Sequence, residues 1–521
     1  MPDVQLLRMM EESLLKSDRE TFFFYGRTYR SSEIVRMYRS VAGYLTDHGI
    51  DKGDVVAVNL LNRPELLIIL MGSWMAGASV TPINVHLKEH EISYQISDSG
   101  AKIVFGELSY KEKIENAVEK SGKNIEKVIL DYDKADLSGD LYMDVFLRGA
   151  KSEGIPGNPD DLFIIYTSGT TGKPKGAVLT SHNIFREALQ LQQAVNLQDS
   201  NRIIIILPLF HVNNLMFSIA TILTGGSLVI LRNFDLEEFF DSVKEYRPTL
   251  FSGVPTIYKM LYDSASQEHR TALSSLKVGI CGAAPMPVKW FDDFEKSYGI
   301  KIIEGYGMTE GTVASTINPI FGKRKVGSIG IPLPGQDVRI FSEIDEDLPP
   351  YAIGEIVVRG PNVMKGYLNK KQETGEALRN GWLHSGDLGY MDADGYFYIV
   401  DRKKDMIIRG GENVYPKEVE NLISTMPEVS EVAVIGKKDD IYGEEVVAFI
   451  VKKDPQLTGP NVIDFCKTNI AWYKCPKEIF FIDALPKNSV GKIQKTDLRQ
   501  VINHQRLKHA GLQLGDQQDL E

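Results

Sequence analysis

DLFIIYTSGTTGKPKGA, residues Asp161–Ala177, is the stretch from which the rest of the chain can be read. Leu162–Tyr166 are all apolar or aromatic and predict a buried strand. The ten positions Thr167–Gly176 then gather glycine, hydroxyl and lysine side chains. Gly169 and Gly172 let the backbone close on an anion, Thr167, Ser168, Thr170 and Thr171 supply short donors, and Lys173 and Lys175 supply charge. A triphosphate suits such a loop. A helix is expected from about Ser181, because Ile184, Ala188, Leu191 and Val195 fall on one face. The loop is not a Walker A sequence, since no G-x-x-x-x-G-K-[ST] occurs anywhere in the chain.

Outward from this loop, strand and helix patterns alternate. Val55–Leu60, Lys102–Phe105, Lys127–Leu130, Ser227–Leu231 and Lys277–Cys281 read as strands, and Glu65–Ala76, Leu236–Lys244 and Val288–Tyr298 as helices. The alternation predicts α/β layers with largely parallel sheets. Beyond about Leu333 the texture changes to glycine-rich turns and short strands, Asp337–Phe341, Gly354–Arg359 and Gly395–Val400, a small β section. Past Asp401 a compact α/β unit follows, with helices at Pro416–Ile423 and Asn461–Asn469 and strands at Glu431–Gly436 and Glu445–Val451. The expected fold is therefore a large N-terminal domain of layered α/β sheets plus a small β section, residues 1–401, and a small mobile α/β C-terminal domain, residues 402–521. The charged run Asp401–Asp405 is the expected connector.

Composition sets the outer limits. The chain has 521 residues, is 43% hydrophobic and 25% charged, and carries a net charge of −11. Disorder, collagen and coiled coil are excluded by that balance. An acidic chain is poorly suited to nucleic acid, so any anionic ligand must be held by a local site. The three cysteines, Cys281, Cys466 and Cys475, form no C-x-x-C pair, which argues against a disulfide framework or a thiolate zinc site. The N-terminal stretch lacks the basic and apolar regions of a signal peptide, and the apolar run Ile203–Phe210 is far short of the roughly 20 residues a membrane helix needs. A reducing cytoplasm is the expected compartment, with peripheral membrane contact left open and a monomer or homodimer as the expected assembly.

YTSGTTGKPKG resembles the phosphate loop of the adenylate-forming superfamily, which comprises acyl- and aryl-CoA ligases, amino-acid adenylation domains and firefly luciferase. Matches continue in the family's order at Leu207–Leu215, Gly282–Pro285, Glu304–Glu310, Gly354–Gly366, Ser385–Asp387, Asp401–Glu420 and Pro486–Lys495. The resemblance implies an ATP- and Mg²⁺-dependent acid–thiol ligase, resembling a bacterial-type fatty acid–CoA ligase, with coenzyme A as a substrate.

Residue by residue, it implies the following roles. The loop Thr167–Lys175 holds the phosphates. Gly282, Ala283 and Ala284 wall the adenine pocket, with Glu304, Gly305 and Tyr306 on its other side, Tyr306 stacking on the base. Thr309 meets the phosphates, and Glu310 holds Mg²⁺ together with Thr170. Asp387 bonds the ribose hydroxyls, with Arg402 as a second contact. Lys492, in Gly491-Lys492-Ile493, is the catalytic lysine, a point charge for the crowded α-phosphate. Lys404 is the hinge about which the small domain exchanges Lys492 for Gly410 and Gly411, which line the pantetheine channel. His211, Asn213, Val254 and Gly305 border the acyl pocket.

Outside the resemblance, His86–His90 fits H-x-x-E-H, but no third ligand can be named, and the pair reads as ordinary residues at a helix start. No G-x-S-x-G nucleophile elbow occurs. The texture favours a medium- or long-chain fatty acid. Asn213 and Asn214 also suit a polar, dicarboxylic or aryl acid. Phe210–Asn214 has no aspartate for an amino-acid ammonium group, which disfavours an adenylation enzyme loading a carrier protein. A catalytically silent nucleotide-binding regulator is disfavoured by the presence of Lys492, Glu310 and the loop lysines.

Overall fold

The computed structural model describes residues 6–130, 143–147, 159–167, 173–284, 286, 288–439, 441–487 and 493–509. The chain divides into two compact units, one of Met1–Arg339, Val357–Ser385 and Asp394–Phe397, the other of Ile340–Ile356, Gly386–Ala393 and Tyr398–Glu521.

The first unit is built on two sheets. One has nine strands in the order Ile331–Pro332, Thr316–Ile317, Lys301–Tyr306, Val278–Cys281, Leu250–Gly253, Arg202–Ile205, Ser227–Ile230, Glu20–Phe24 and Arg27–Arg30. Its six central strands run parallel, and the antiparallel pairings are confined to its edges. The other has seven strands, Gly366–Tyr367, Lys175–Thr180, Asp161–Thr167, Ser79–Pro82, Val55–Asn59, Ile103–Glu107 and Glu126–Leu130. Strands such as Val55–Asn59 are buried at every position, as expected where helices cover both faces of a parallel sheet. All twelve residues of the helix Pro64–Met75 are buried, so it has no solvent face, and its one ionisable residue, Glu65, pairs with Arg63 and accepts from the Tyr29 hydroxyl. Each fully buried Leu or Ile in it contributes roughly 1.5–3 kcal/mol.

Most expected elements appear within a residue or two of their sequence bounds, and Val288–Tyr298 and Pro416–Ile423 coincide with them. Two differ. The strand expected at Gly395–Val400 is Phe397–Arg402, because Gly395 turns with a φ of 82° before pairing begins. A strand that the sequence reading did not expect, Lys175–Thr180, pairs antiparallel with Asp161–Thr167, with Thr167 opposite Lys175. The phosphate-loop sequence thus connects two antiparallel strands, and the helix Ser181–Ala194 starts only after the second, capped by Thr180.

Asp337–Phe341, Gly354–Arg359, Leu383–Met391 and Phe397–Arg402 form a four-stranded sheet in that order, and the unit division falls within these strands. In the second unit, Val429–Asp439 and Gly443–Lys452 form a long hairpin flanked by Ile407–Arg409, Glu412–Val414 and Glu478–Phe481. Alternate residues serve opposite faces. Val434, Val446 and Ala448 pack with Val419, Ile423 and Val462, whereas Ala433, Val447 and Phe449 pack with Leu498 and Ile502. Among the described residues, no helix is long and apolar enough to cross a membrane.

Candidate active site

Parallel strands release their C-terminal ends along one edge of the nine-stranded sheet, where ligands bind in open α/β folds. His211 follows Arg202–Ile205, Val254 follows Leu250–Gly253, Gly282 follows Val278–Cys281, and Glu304, Gly305 and Tyr306 end Lys301–Tyr306. The parallel register places these strand ends side by side.

Glu310 stands just past that edge, in the short turn Thr309–Gly311. Its Oε1 accepts from the Thr167 hydroxyl at 3.2 Å and from the Tyr367 hydroxyl at 2.8 Å. One carboxylate oxygen is thus fixed by two donors from the other sheet. Burial, and then Glu310 itself, raises the Tyr367 hydroxyl well above its usual range, so it remains a donor. Tyr367 is brought there by pairing with Ala177, and the Lys175 Nζ lies 5.2 Å from its ring centre. Lys173 Nζ stands 6.0 Å from the Tyr94 ring. A hard divalent cation asks for oxygen ligands and keeps waters and phosphate oxygens, so a single oriented carboxylate fits Mg²⁺ bound with a nucleotide. Among the described residues no cluster of three or more His, Cys, Asp or Glu offers an all-protein alternative. Ser168, Gly169, Thr170, Thr171 and Gly172, expected in the same grip, lie outside the described residues.

The turn after Val278–Cys281 and the end of the strand Lys301–Tyr306 are tightly built. Ala283 sits at φ 67°, a left-handed conformation that costs an alanine energy and puts the small residues Gly282–Ala284 into a sharp turn. Only glycine fits at 307, since a Cβ there would lie 2.0 Å from the Val313 carbonyl oxygen. Tyr306 is buried, and its carbonyl accepts from the Ser315 N–H at 2.8 Å. Glu304 is 4% exposed; the Met286 N–H faces its Oε1 at 3.5 Å, and its Oε2 is buried with no hydrogen-bond partner among the described residues. Burial pushes its carboxyl up to about 8, so at neutral pH it is largely a neutral acid.

The segment that follows the strand Arg202–Ile205 is mostly apolar. The His211 Nε2 is buried without a partner among the described residues, and burial lowers the imidazole to about 4, so it is uncharged at pH 7. Phe210 packs edge-on to His86 at 6.5 Å. The Asn213 Oδ1 accepts from the Ser252 hydroxyl at 2.9 Å. Asn214, read above as a polar group for substrate, is instead 1% exposed and donates to the Leu207 carbonyl at 2.8 Å, so it serves the strand-to-helix turn. His86 and His90 are both exposed at the start of the helix Glu89–Ser99.

In the second unit, Asp387 is buried and its carboxylate is 3.3 Å from the Arg402 Nε. Lys404 is exposed in the turn after Phe397–Arg402. Gly410 and Gly411 are the central residues of the hairpin joining Ile407–Arg409 to Glu412–Val414, with φ of 59° and 86°. A two-residue turn with both φ positive favours glycine, so the pair has a structural reason to be there in addition to any channel. Lys492 lies outside the described residues.

The pattern of the family described as AMP-binding enzyme matches residues 11–368, and that of its C-terminal domain matches residues 418–492. The chain belongs to the AMP-binding enzyme family. This places it in the adenylate-forming superfamily, among enzymes of the acid–thiol ligase class. It is 36% identical to a long-chain-fatty-acid–CoA ligase of Bacillus subtilis over 96% of this chain and 94% of that protein. It is also 36% identical to a feruloyl-CoA synthase of Amycolatopsis, over 91% and 94%. An o-succinylbenzoate coenzyme A synthetase of Bacillus subtilis, solved with ATP and magnesium ion, superimposes with a TM-score of 0.82 at 29% identity, covering 96% of this chain and 99% of that one.

Within this AMP-binding enzyme, two residues that touch or support Glu310 escaped the sequence reading. Tyr367 follows directly on the matched segment Gly354–Gly366, and only its pairing with Ala177 shows that it reaches across. Asn362 donates from Nδ2 to the Gly311 carbonyl at 2.9 Å, a contact between residues 51 apart that no local pattern announces.

Proposed function

We propose that the chain joins a carboxylic acid to coenzyme A at the expense of ATP, giving acyl-CoA, AMP and pyrophosphate through an acyl-adenylate. The observation that carries this reading is Glu310, its carboxylate oxygen held by Thr167 and Tyr367 at the mouth of the phosphate-loop sequence. Mg²⁺, held by Glu310 with Thr170, would neutralise charge on the nucleotide phosphates. In the first half-reaction a carboxylate oxygen of the acid bonds to the α-phosphorus, and the bond to pyrophosphate breaks. Lys173, Lys175, Thr167 and Thr309 hold the phosphates in line, while Gly282–Ala284, Glu304 and Tyr306 enclose adenine. Lys492 supplies positive charge where negative charge concentrates in the transition state. No covalent nucleophile is needed, because positioning and charge neutralisation do the chemistry. In the second half-reaction the thiol sulfur of coenzyme A bonds to the acyl carbon, AMP departs, and the thiol proton passes to solvent.

We assign Asp387 and Arg402 to the ribose, and Lys404 to the hinge of a C-terminal domain, residues 402–521, that alternates between the half-reactions. Gly410 and Gly411 then border the pantetheine arm. For the acid we favour a medium- or long-chain fatty acid, and so a place in lipid metabolism: uncharged His211, Phe210 and Val254 offer its tail an apolar wall, and Asn213 is already engaged by Ser252. An aryl acid is the second reading, favoured by the equal identity to the feruloyl-CoA synthase. The cytoplasm is the compartment we assign, since Cys281, Cys466 and Cys475 are all buried as free thiols. Pyrophosphate release with ATP, Mg²⁺ and a panel of fatty, aryl and dicarboxylic acids, with and without coenzyme A, tests the reading. Turnover that requires coenzyme A supports it; ATP binding with no turnover on any acid would overturn it.

A further inference from the structure

Directly after Glu310 the backbone reverses through an unusual turn. Thr312 has φ 67° and ψ −38°, and the Val313 N–H donates to the Gly311 carbonyl at 2.9 Å. That is a γ-turn centred on a β-branched residue, a rare and strained geometry. Such strain persists only where the surroundings over-determine it. Here they do so from two distant elements. Asn362 donates to the Gly311 carbonyl, and its own carbonyl accepts from the Thr312 hydroxyl. On the other side of the turn, Glu187 reaches in from the helix Ser181–Ala194 and its Oε1 accepts from the Ala314 N–H at 2.9 Å. Glu187 is fully buried, and among the described residues it has no cationic partner. Its Oε2 faces the Gln336 Nε2 at 3.1 Å, and that nitrogen also faces the Gln190 side-chain oxygen and the Ala314 carbonyl, both at 2.9 Å. A carboxyl group in an apolar interior is costly unless its hydrogen bonds are used. These are spent on the turn two to four residues beyond Glu310.

We infer that Glu187 is a positioning residue: by holding Ala314 it keeps the strained turn at Thr312 closed, and the closed turn aims Glu310 at Thr167 and Tyr367. The inference rests on the reading of Glu310 given above and adds the group that sets its aim. Nothing in the local sequence marks Glu187, which lies 123 positions before Glu310.

The full chain is tested as Glu187→Leu, which fills the space but accepts no hydrogen bond, and as Glu187→Gln, whose amide oxygen still faces Ala314. Amide hydrogen exchange over residues 309–318 of the ligand-free protein is read first, and the Mg²⁺ dependence of ATP binding by calorimetry second. Glu187→Leu should speed exchange in that segment about tenfold and raise the half-saturating Mg²⁺ about tenfold, with the KM for the acid within about twofold, while Glu187→Gln stays close to the parent in each. A role in packing alone would lower thermal stability and leave both readouts where they were, which would overturn the inference. Should Glu187→Leu not fold, Asn362→Ala replaces it under the same expectations, and unchanged exchange there counts equally against the turn. Glu310→Gln separates the two readings. If it leaves Mg²⁺-dependent binding intact, the role given to Glu310 falls; if it weakens binding while Glu187→Leu does not, only the positioning inference falls.

Discussion

The turn that carries Glu310 and the segment that carries His211 stand at strand ends of one sheet, and they present different side chains: an oriented carboxylate in one, a mostly apolar set in the other. Around Glu310 the backbone is fixed by named polar contacts from far along the chain: Met364 to the Glu310 carbonyl at 2.8 Å, Asn362 to Gly311, Glu187 to Ala314. Around His211 the backbone is also held from far along the chain, with Asn62 donating to the Leu207 carbonyl at 3.0 Å and accepting from the Leu209 N–H at 2.6 Å, but the side chains beyond it are Phe210, Val254 and an uncharged imidazole. Hydrogen bonds are directional and fix atoms to within a few tenths of an ångström, whereas apolar packing tolerates exchange of one shape for another. The contrast explains why the reaction can be argued from this chain more firmly than the acid. In the function proposed above, chemistry at phosphorus falls to the first region and the choice of acid to the second.

The largest break in that contrast should come from the catalytic charge. Lys492→Ala is expected to lower adenylate formation by about 100- to 1000-fold, the range for removing one transition-state contact. Thioester formation from supplied acyl-adenylate should stay within a few-fold. Pre-steady-state measurement of the two half-reactions checks this, and equal losses in both would remove the lysine from its assigned step.

Next in size is Tyr367→Phe. One of the two donors to the Glu310 Oε1 is lost, leaving Thr167 alone. We expect pyrophosphate release to fall about tenfold, the scale of a hydrogen bond to a charged group, with the ranking of acids unchanged. A shifted ranking with unaltered rate would mean that the two regions are not separable as drawn.

How far the sequence reveals this division follows from the range of the interactions. Helices such as Val288–Tyr298 and Pro416–Ile423 are legible because their apolar periodicity is local. The stretch Thr167–Gly176 stands out because ten adjacent positions are specialised together. The strand Lys175–Thr180 was missed because only Ala177, Val178 and Leu179 carry its apolar signal, and its last residue doubles as a helix cap. Asn214 was misread because a polar residue beside a predicted pocket looks the same in sequence whether it faces substrate or a backbone carbonyl. Glu187 and Tyr367 were invisible for a third reason: their roles exist only after elements more than 50 residues apart have docked.

Smaller effects sharpen the comparison by pH, since Glu304 on the strand leading to the Glu310 turn and His211 are both held in their neutral forms by burial. For Glu304 the folded value, about 8, stands above the roughly 4.3 of an unfolded glutamate. Between those values the unfolded chain has shed a proton that the folded chain retains, so stability falls as pH rises through the window. Glu304→Gln should remove this loss. Its melting temperature relative to the parent should climb by several degrees between pH 5 and pH 8.5, and a constant difference would show that the carboxyl is already ionised in the fold.

His211 runs the other way and more weakly. Its folded value of about 4 lies below the roughly 6.5 of an unfolded histidine, so the unfolded chain binds the extra proton and stability is lost as pH falls through that interval. Between pH 7 and pH 5 the loss amounts to about 2 kcal/mol. His211→Phe keeps a ring on the acyl-side wall and removes the titration, so its melting temperature relative to the parent should rise on acidification, by less than the Glu304→Gln shift at the alkaline end. The same variant should alter the ranking of acids a few-fold while the Mg²⁺ dependence of ATP binding stays put, because no contact links His211 to the turn at Thr312 among the hydrogen bonds that hold Glu310. Thermal melts from pH 5 to 8.5 and an acid panel on this one variant therefore probe both halves of the contrast. Opposite slopes for the two residues are the expected result, and parallel slopes would mean that one of the two groups is charged inside the fold.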